Sequence, residues 1–139
     1  MQSEDAILIL LAQAGVKKRF RPYQESETGT IILRTRKPPT ITNGTMKGCE
    51  IYLLDNQTFR VWTSQKKKAL QYAKTYNLRV SEYDREADLY VPATLADNIL
   101  PCFGAKIRRK ASPAAIEALK LARANIIKNP LLESPKPQQ

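Results

Sequence analysis

Apolar residues recur along this chain with two periods, and the change from one to the other marks out its elements. Between Ser3 and Gly15, Ile7, Leu8, Leu11 and Ala14 fall on one helical stripe. The run from Ile7 to Leu11 is apolar all round and would also suit a buried strand. Its punctuation decides for a helix over 4–14. Ser3 is placed to cap, Glu4 and Asp5 sit at the positive end of the dipole, and Gly15 follows the last turn.

Further along, the period drops to two. Segments 50–54 and 58–63 flank a polar turn containing Asp55 and Asn56 and read as a hairpin. In its second arm Phe59, Val61 and Thr63 share one face, while Arg60 and Trp62 share the other. Ser64 opens a helix to about Asn77, with Ala69, Leu70 and Ala73 and either Tyr72 or Tyr76 as its buried stripe. A strand over 78–83, a charged turn over 84–88 and a short strand near 88–91 follow, stopped by Pro92. Thr94 and Asp97 have the spacing of a capping box, opening a short helix to Leu100 that Pro101 ends.

The flanks differ in character. Residues 17–37 read as a basic extended arm of two segments around a polar loop, closed by Pro38 and Pro39. Residues 40–48 read as an exposed connection, and 104–110 as a basic, extended stretch. Ser112 at an N-cap and Pro113 at the first helical position start a helix over 113–128, striped by Ile116, Leu119, Ala122 and Ile126. Its Glu117 comes early and Lys120, Arg123 and Lys128 late, as the dipole favours. A disordered tail over 129–139 is expected. These elements predict an α+β fold: a small antiparallel sheet with helices on one side and terminal helices flanking it, in one domain over 1–128 with its core at 50–104.

Composition narrows the chemistry. The chain has 139 residues, 23 Lys and Arg against 13 Asp and Glu, a net charge of +10, and no histidine. Without histidine there is no Ser-His-Asp triad, no Cys-His dyad, no His-ligated zinc and no histidine pH switch. Two cysteines, Cys49 and Cys102, are too few for a four-thiolate zinc site and read as thiols of a reducing compartment. No apolar run approaches the roughly 20 residues that span a bilayer, and Glu4 and Asp5 stand where a secretory signal carries positive charge. A cytoplasmic location is expected. Phosphate-loop and dinucleotide-binding glycine patterns are absent, and no cofactor is expected.

More than half of the cations fall in four clusters: Lys17, Lys18, Arg19 and Arg21; Arg34, Arg36 and Lys37; Lys66, Lys67 and Lys68; and Lys106, Arg108, Arg109 and Lys110. Four such patches on one face would make the field of a polyanion binder. The lysine triplet would occupy the first turn of a helix starting at Ser64, where acids are usual and a bound phosphate would relieve both dipole and lysines. A start near Lys68 would instead leave three solvated lysines on a loop. Aromatic residues alternate with these charges: Phe20 and Tyr23 flank Arg21, Trp62 shares a face with Arg60, and Tyr72 and Tyr76 follow the triplet. Most serve equally well as core. Trp62 is the one expected to be exposed for stacking on bases, because Phe59 and Val61 claim the inner face.

The expected function is therefore non-enzymatic binding of nucleic acid, DNA or RNA, alone or within a larger nucleoprotein complex. The four clusters with Arg60 would contact phosphate, and Trp62 and Tyr23 would stack. A basic accessory or inhibitor protein docking on an acidic protein partner is the alternative. A third reading is a metal-dependent nuclease, since Asp84, Glu86 and Asp88 alternate and on a strand would share one face for Mg2+. Arg85 and the turn-like setting favour solvated charge. No membrane association is expected.

Overall fold

The computed structural model describes residues 2–108 and, beyond them, the helical residues Glu117, Ala118 and Lys120–Ala122. The chain divides into two units, 1–108 and 109–139. The expected C-terminal helix and tail otherwise lie outside the described residues.

Ser3 starts α1 (Glu4–Gln13) as its sequence suggests, its Oγ accepting from the Ala6 N–H at 3.1 Å. Gly15, at φ 102°, takes the left-handed position past its end. Eight strands follow: β1 (Pro22–Gln24), β2 (Ile31–Leu33), β3 (Thr40–Thr42), β4 (Thr45–Lys47), β5 (Cys49–Asp55), β6 (Thr58–Thr63), β7 (Val80–Glu82) and β8 (Ala87–Pro92). Between them lies α2 (Lys66–Tyr76), and after β8 come α3 (Ala93–Ile99) and a 3-10 turn (Leu100–Phe103). Six strands form one antiparallel sheet in the order β1-β2-β5-β6-β8-β7, and β3 pairs with β4 alone. The α+β class and the antiparallel sheet agree with the sequence reading. The sheet is larger than expected, because both segments of the basic arm pair into it as β1 and β2.

Alternation along the central strands decides where everything else goes. Ile51, Phe59, Val61, Leu89 and Val91 point to one face and are fully buried. Against them pack Ile7 and Leu11 of α1, Ala69 and Ala73 of α2, and Ala93, Ala96 and Ile99 of α3, in a single apolar cluster. Alanines at four of these helical positions bring the α2 and α3 backbones close to the strands. Each large side chain buried this way contributes about 1.5–3 kcal/mol. No helix among the described residues is long and apolar enough to cross a membrane.

Three local expectations are corrected. Residues 40–48 hold the β3–β4 hairpin, whose Asn43 and Gly44 both have positive φ, 51° and 74°, as a type I′ turn requires. The expected capping box at Thr94 does not form: α3 has no side-chain cap. Asp97 instead accepts the Lys17 and Lys18 N–H groups at 2.9 and 2.8 Å, closing the chain after α1. Finally, the charged turn is shorter than 84–88, since Ala87 and Asp88 belong to β8.

Gly48 joins the hairpin to the main sheet at φ 125°, and a Cβ there would lie 3.0 Å from the Pro39 Cα. Gly48→Ala therefore imposes left-handed strain and a backbone clash together, costing on the order of 1–3 kcal/mol. Thermal melting followed by circular dichroism is expected to show Tm lowered by about 4–8 °C for each kcal/mol lost.

Candidate nucleic-acid interface

Past the end of β2 the chain keeps pairing. Thr35 bridges Ala105, the Arg36 N–H donates to the Gly104 carbonyl at 2.8 Å, and the Lys106 N–H donates to the Arg34 carbonyl at 2.8 Å. This short ladder lays the second cationic cluster beside the start of the fourth. The Lys68 ammonium reaches the same place from α2, donating to the Cys102 carbonyl and lying 5.0 Å from the Phe103 ring centroid. A cleft of about 450 Å3 results, lined by Arg36, Lys37, Gly48, Cys49, Gln65, Lys68, Cys102, Phe103 and Gly104. A second cleft of about 280 Å3, sharing Cys49, is lined by Tyr23, Arg34, Lys106 and Glu50 among others.

Among the described residues, Glu50 is the one carboxylate along the two clefts. Among the described residues, Arg34, Arg36, Lys37, Lys68 and Lys106 make no ion pair. The first turn of α2 adds to the positive field, because Gln65 supplies no side-chain cap and the turn contains no acid. Its first N–H groups have no partner within the helix. Such an arrangement can hold phosphate oxygens by charge and by backbone donors together.

The other clusters do not join this cleft. Lys17, Lys18 and Arg19 are exposed beside Leu8 and Ile9 of α1. Arg21 pairs with Glu4 at 2.7 Å, and Arg108 lies 3.4 Å from Glu4 and 3.5 Å from Asp5. Lys66 donates to the Tyr83 carbonyl at 2.7 Å and lies 3.8 Å from Glu82, while Lys67 is exposed. Arg109 and Lys110 lie outside the described residues. The four clusters thus share no single cleft among the described residues.

The sheet face opposite the helices holds a second polar constellation. Trp62 points to it as expected, but it is buried, at 8% exposure, between Glu50 and Asp88 of the neighbouring strands. Exposure of Trp62 for stacking is therefore corrected. Asp88 is also buried, with Oδ2 3.0 Å from the Arg60 guanidinium and 2.8 Å from the Tyr83 hydroxyl. That carboxylate raises the Tyr83 hydroxyl and the Arg60 guanidinium above their ordinary pKa values. Asp88 Oδ1 and Arg60 Nε are buried with no hydrogen-bond partner. Asp84, by contrast, is almost wholly exposed, so the alternating carboxylates do not converge on one point.

Three tyrosines on this face carry an arginine. The Arg34 guanidinium lies 4.5 Å from the Tyr23 ring centroid, Arg60 5.9 Å from Tyr52, and Arg79 4.3 Å from Tyr90. Sequence reasoning missed Tyr52, Arg79 and Tyr90. Their signal was parity: Tyr52 alternates with Ile51 and Leu53, and Tyr90 with Leu89 and Val91. Of the other aromatics considered, Phe20 is fully buried, and Tyr72 packs edge-on against Phe103 with centroids 5.2 Å apart.

Comparison with protein-family models, with curated proteins and with solved structures gives no match.

The two thiols of the cleft differ in exposure. Cys49 is buried and contacts the Thr63 hydroxyl at 3.1 Å, whereas Cys102 is exposed. Burial raises the Cys49 thiol above its ordinary value of 9.0, against the opposing effects of Thr63 and Lys68. A thiol reagent applied to the folded protein is expected to label Cys102 promptly and Cys49 only after denaturation, as read by mass spectrometry. Because the folded-state pKa is the higher one, the contribution of Cys49 to stability is complete below pH 9 and is lost as pH rises through the folded value. Denaturant midpoints compared at about pH 8 and about pH 10 are expected to fall more for the wild type than for Cys49→Ala.

Proposed function

We propose that this protein is a non-enzymatic nucleic-acid-binding protein that holds a phosphate backbone in the basic clefts at the end of the sheet. The observation that carries this reading is the meeting of Arg34, Arg36, Lys37, Lys68 and Lys106 from three distant parts of the chain, with Glu50 the one acid along them among the described residues. Such contacts fix position and orientation and carry little sequence information. The uncapped first turn of α2 supports the same ligand, since an anion there would meet both the free N–H groups and the dipole.

Docking on an acidic protein is the second reading. It is favoured by the exposure of Ile9 and Leu10 on α1, at 62% and 41%, with Lys17, Lys18 and Arg19 beside Ile9. Mixed apolar and basic surface of this kind suits a protein partner better than a phosphate backbone.

Salt dependence separates the two. Nucleic-acid binding is expected to weaken linearly on a log–log salt plot, with a slope of about −0.9 per duplex phosphate or about −0.7 per single-strand phosphate. Arg36→Ala, Lys37→Ala and Lys106→Ala are each expected to reduce that slope by about one contact. Lys66→Ala is expected to leave it unchanged, because its ammonium already serves Glu82 and the Tyr83 carbonyl. Absence of binding to any duplex or single strand at low salt would overturn the proposal in favour of the protein partner.

A further inference from the structure

The strand register places the arginine-bearing tyrosines in one line. Tyr23 of β1 stands opposite Ile32 of β2, Ile32 opposite Tyr52 of β5, Tyr52 opposite Arg60 of β6, and Arg60 opposite Tyr90 of β8. The Tyr90 N–H donates to the Arg79 carbonyl at 3.0 Å, which adds Arg79 at the far end. Neighbouring strands lie about 4.8 Å apart, so the three rings recur about every 10 Å across the whole sheet. All three are half-buried, Arg34 and Arg79 are exposed, and none of the three tyrosines belongs to the apolar cluster that the helices cover.

We infer that this row is a stacking platform for the unpaired bases of a single-stranded nucleic acid whose phosphates run into the adjoining basic cleft. The inference rests on the proposed phosphate-binding function and adds the strandedness of the ligand. A duplex hides its base faces against one another, whereas a single strand can lay them on tyrosine rings and guanidinium planes. Charge complementarity favours the same occupant. Arg34 and Arg79 make no ion pair among the described residues, and each can take a phosphate while yielding its ring to a base. Arg60 is held by Asp88 and serves instead as a fixed part of the floor.

Continuity with the cleft is the second argument. Tyr23 and Arg34 begin the row and also line the smaller cleft with Lys106, so one strand can cross from phosphate site to platform without a gap.

The test uses the full chain and fluorescent oligothymidylate, oligouridylate and a mixed duplex of about 15 nucleotides, followed by anisotropy at low salt. Single strands are expected to bind at least about tenfold more tightly than the duplex. Tyr52→Ala with Tyr90→Ala is expected to weaken single-strand binding by about tenfold or more while leaving the salt slope unchanged. Tyr52→Phe with Tyr90→Phe should keep the affinity. Should the alanine variant fail to fold, Arg79→Glu, which replaces no packed ring, is expected to weaken single-strand binding and, because Arg79 would also hold a phosphate, to reduce the salt slope by about one contact. Equal affinity for duplex and single strands, or full affinity in the Tyr52→Ala, Tyr90→Ala and Arg79→Glu variants, overturns the platform while leaving the phosphate cleft standing. So does a concentration-dependent dimer that Arg79→Glu dissociates, because the face would then belong to a second copy. Absence of binding to any of the three probes by the unmodified protein would overturn the cleft and the platform together.

Discussion

Side-chain alternation along β5, β6 and β8 is the constraint on which the rest of the structure depends. A strand presents successive residues to opposite faces, so Phe59, Val61, Leu89 and Val91 cannot all meet the helices unless Arg60, Trp62, Asp88 and Tyr90 turn the other way. A slip of one residue would bury the arginine and the aspartate under α1 and α2 and expose the core. One pattern therefore stabilises the fold and creates the polar face. The helix side is closed by small alanines and large aliphatics, and the opposite side is left to arginine and tyrosine.

Within that frame, charge is distributed by which acids the fold brings close. Glu4 and Asp5, useful at the start of α1, also neutralise Arg21 and Arg108. Glu82 draws Lys66 toward the β7–β8 turn, and Asp88 holds Arg60. Among the described residues, cations at the end of the sheet meet no such neighbours beyond Glu50. The cleft is thus basic less because it gathers most of the lysines and arginines than because, among the described residues, carboxylates other than Glu50 do not line it. Lys68 contributes twice, tying α2 to the 3-10 turn and adding charge to the wall.

Local signals in the chain were reliable where the physics is local. Ser3 caps α1, Gly15 leaves it, and Asn77 ends α2 in the left-handed conformation. The Asn43-Gly44 pair forms the tight turn that this dipeptide favours, although the polar residues around it read as a plain connection. Long-range partners were not legible. Asp97 has the spacing of a cap for its own helix, yet it accepts from Lys17 and Lys18, 79 residues or more away. Alternation along β6 puts Trp62 on the correct face, but its burial between Glu50 and Asp88 depends on two other strands. Asp88 reads as part of a solvated run until β8 sets it opposite Trp62.

From its own residues the chain determined the α+β class, the hairpin of β5 and β6, the two faces of β6 and the excess of positive charge. Each of these follows from periodicity, propensity or composition, which act over a few residues or over the whole sum. Only the tertiary structure decided which cations stand together and that Tyr23, Tyr52 and Tyr90 form a line. Both depend on strand order and register, and those are set by contacts between segments tens of residues apart, whose energy belongs to the pair and to neither segment alone.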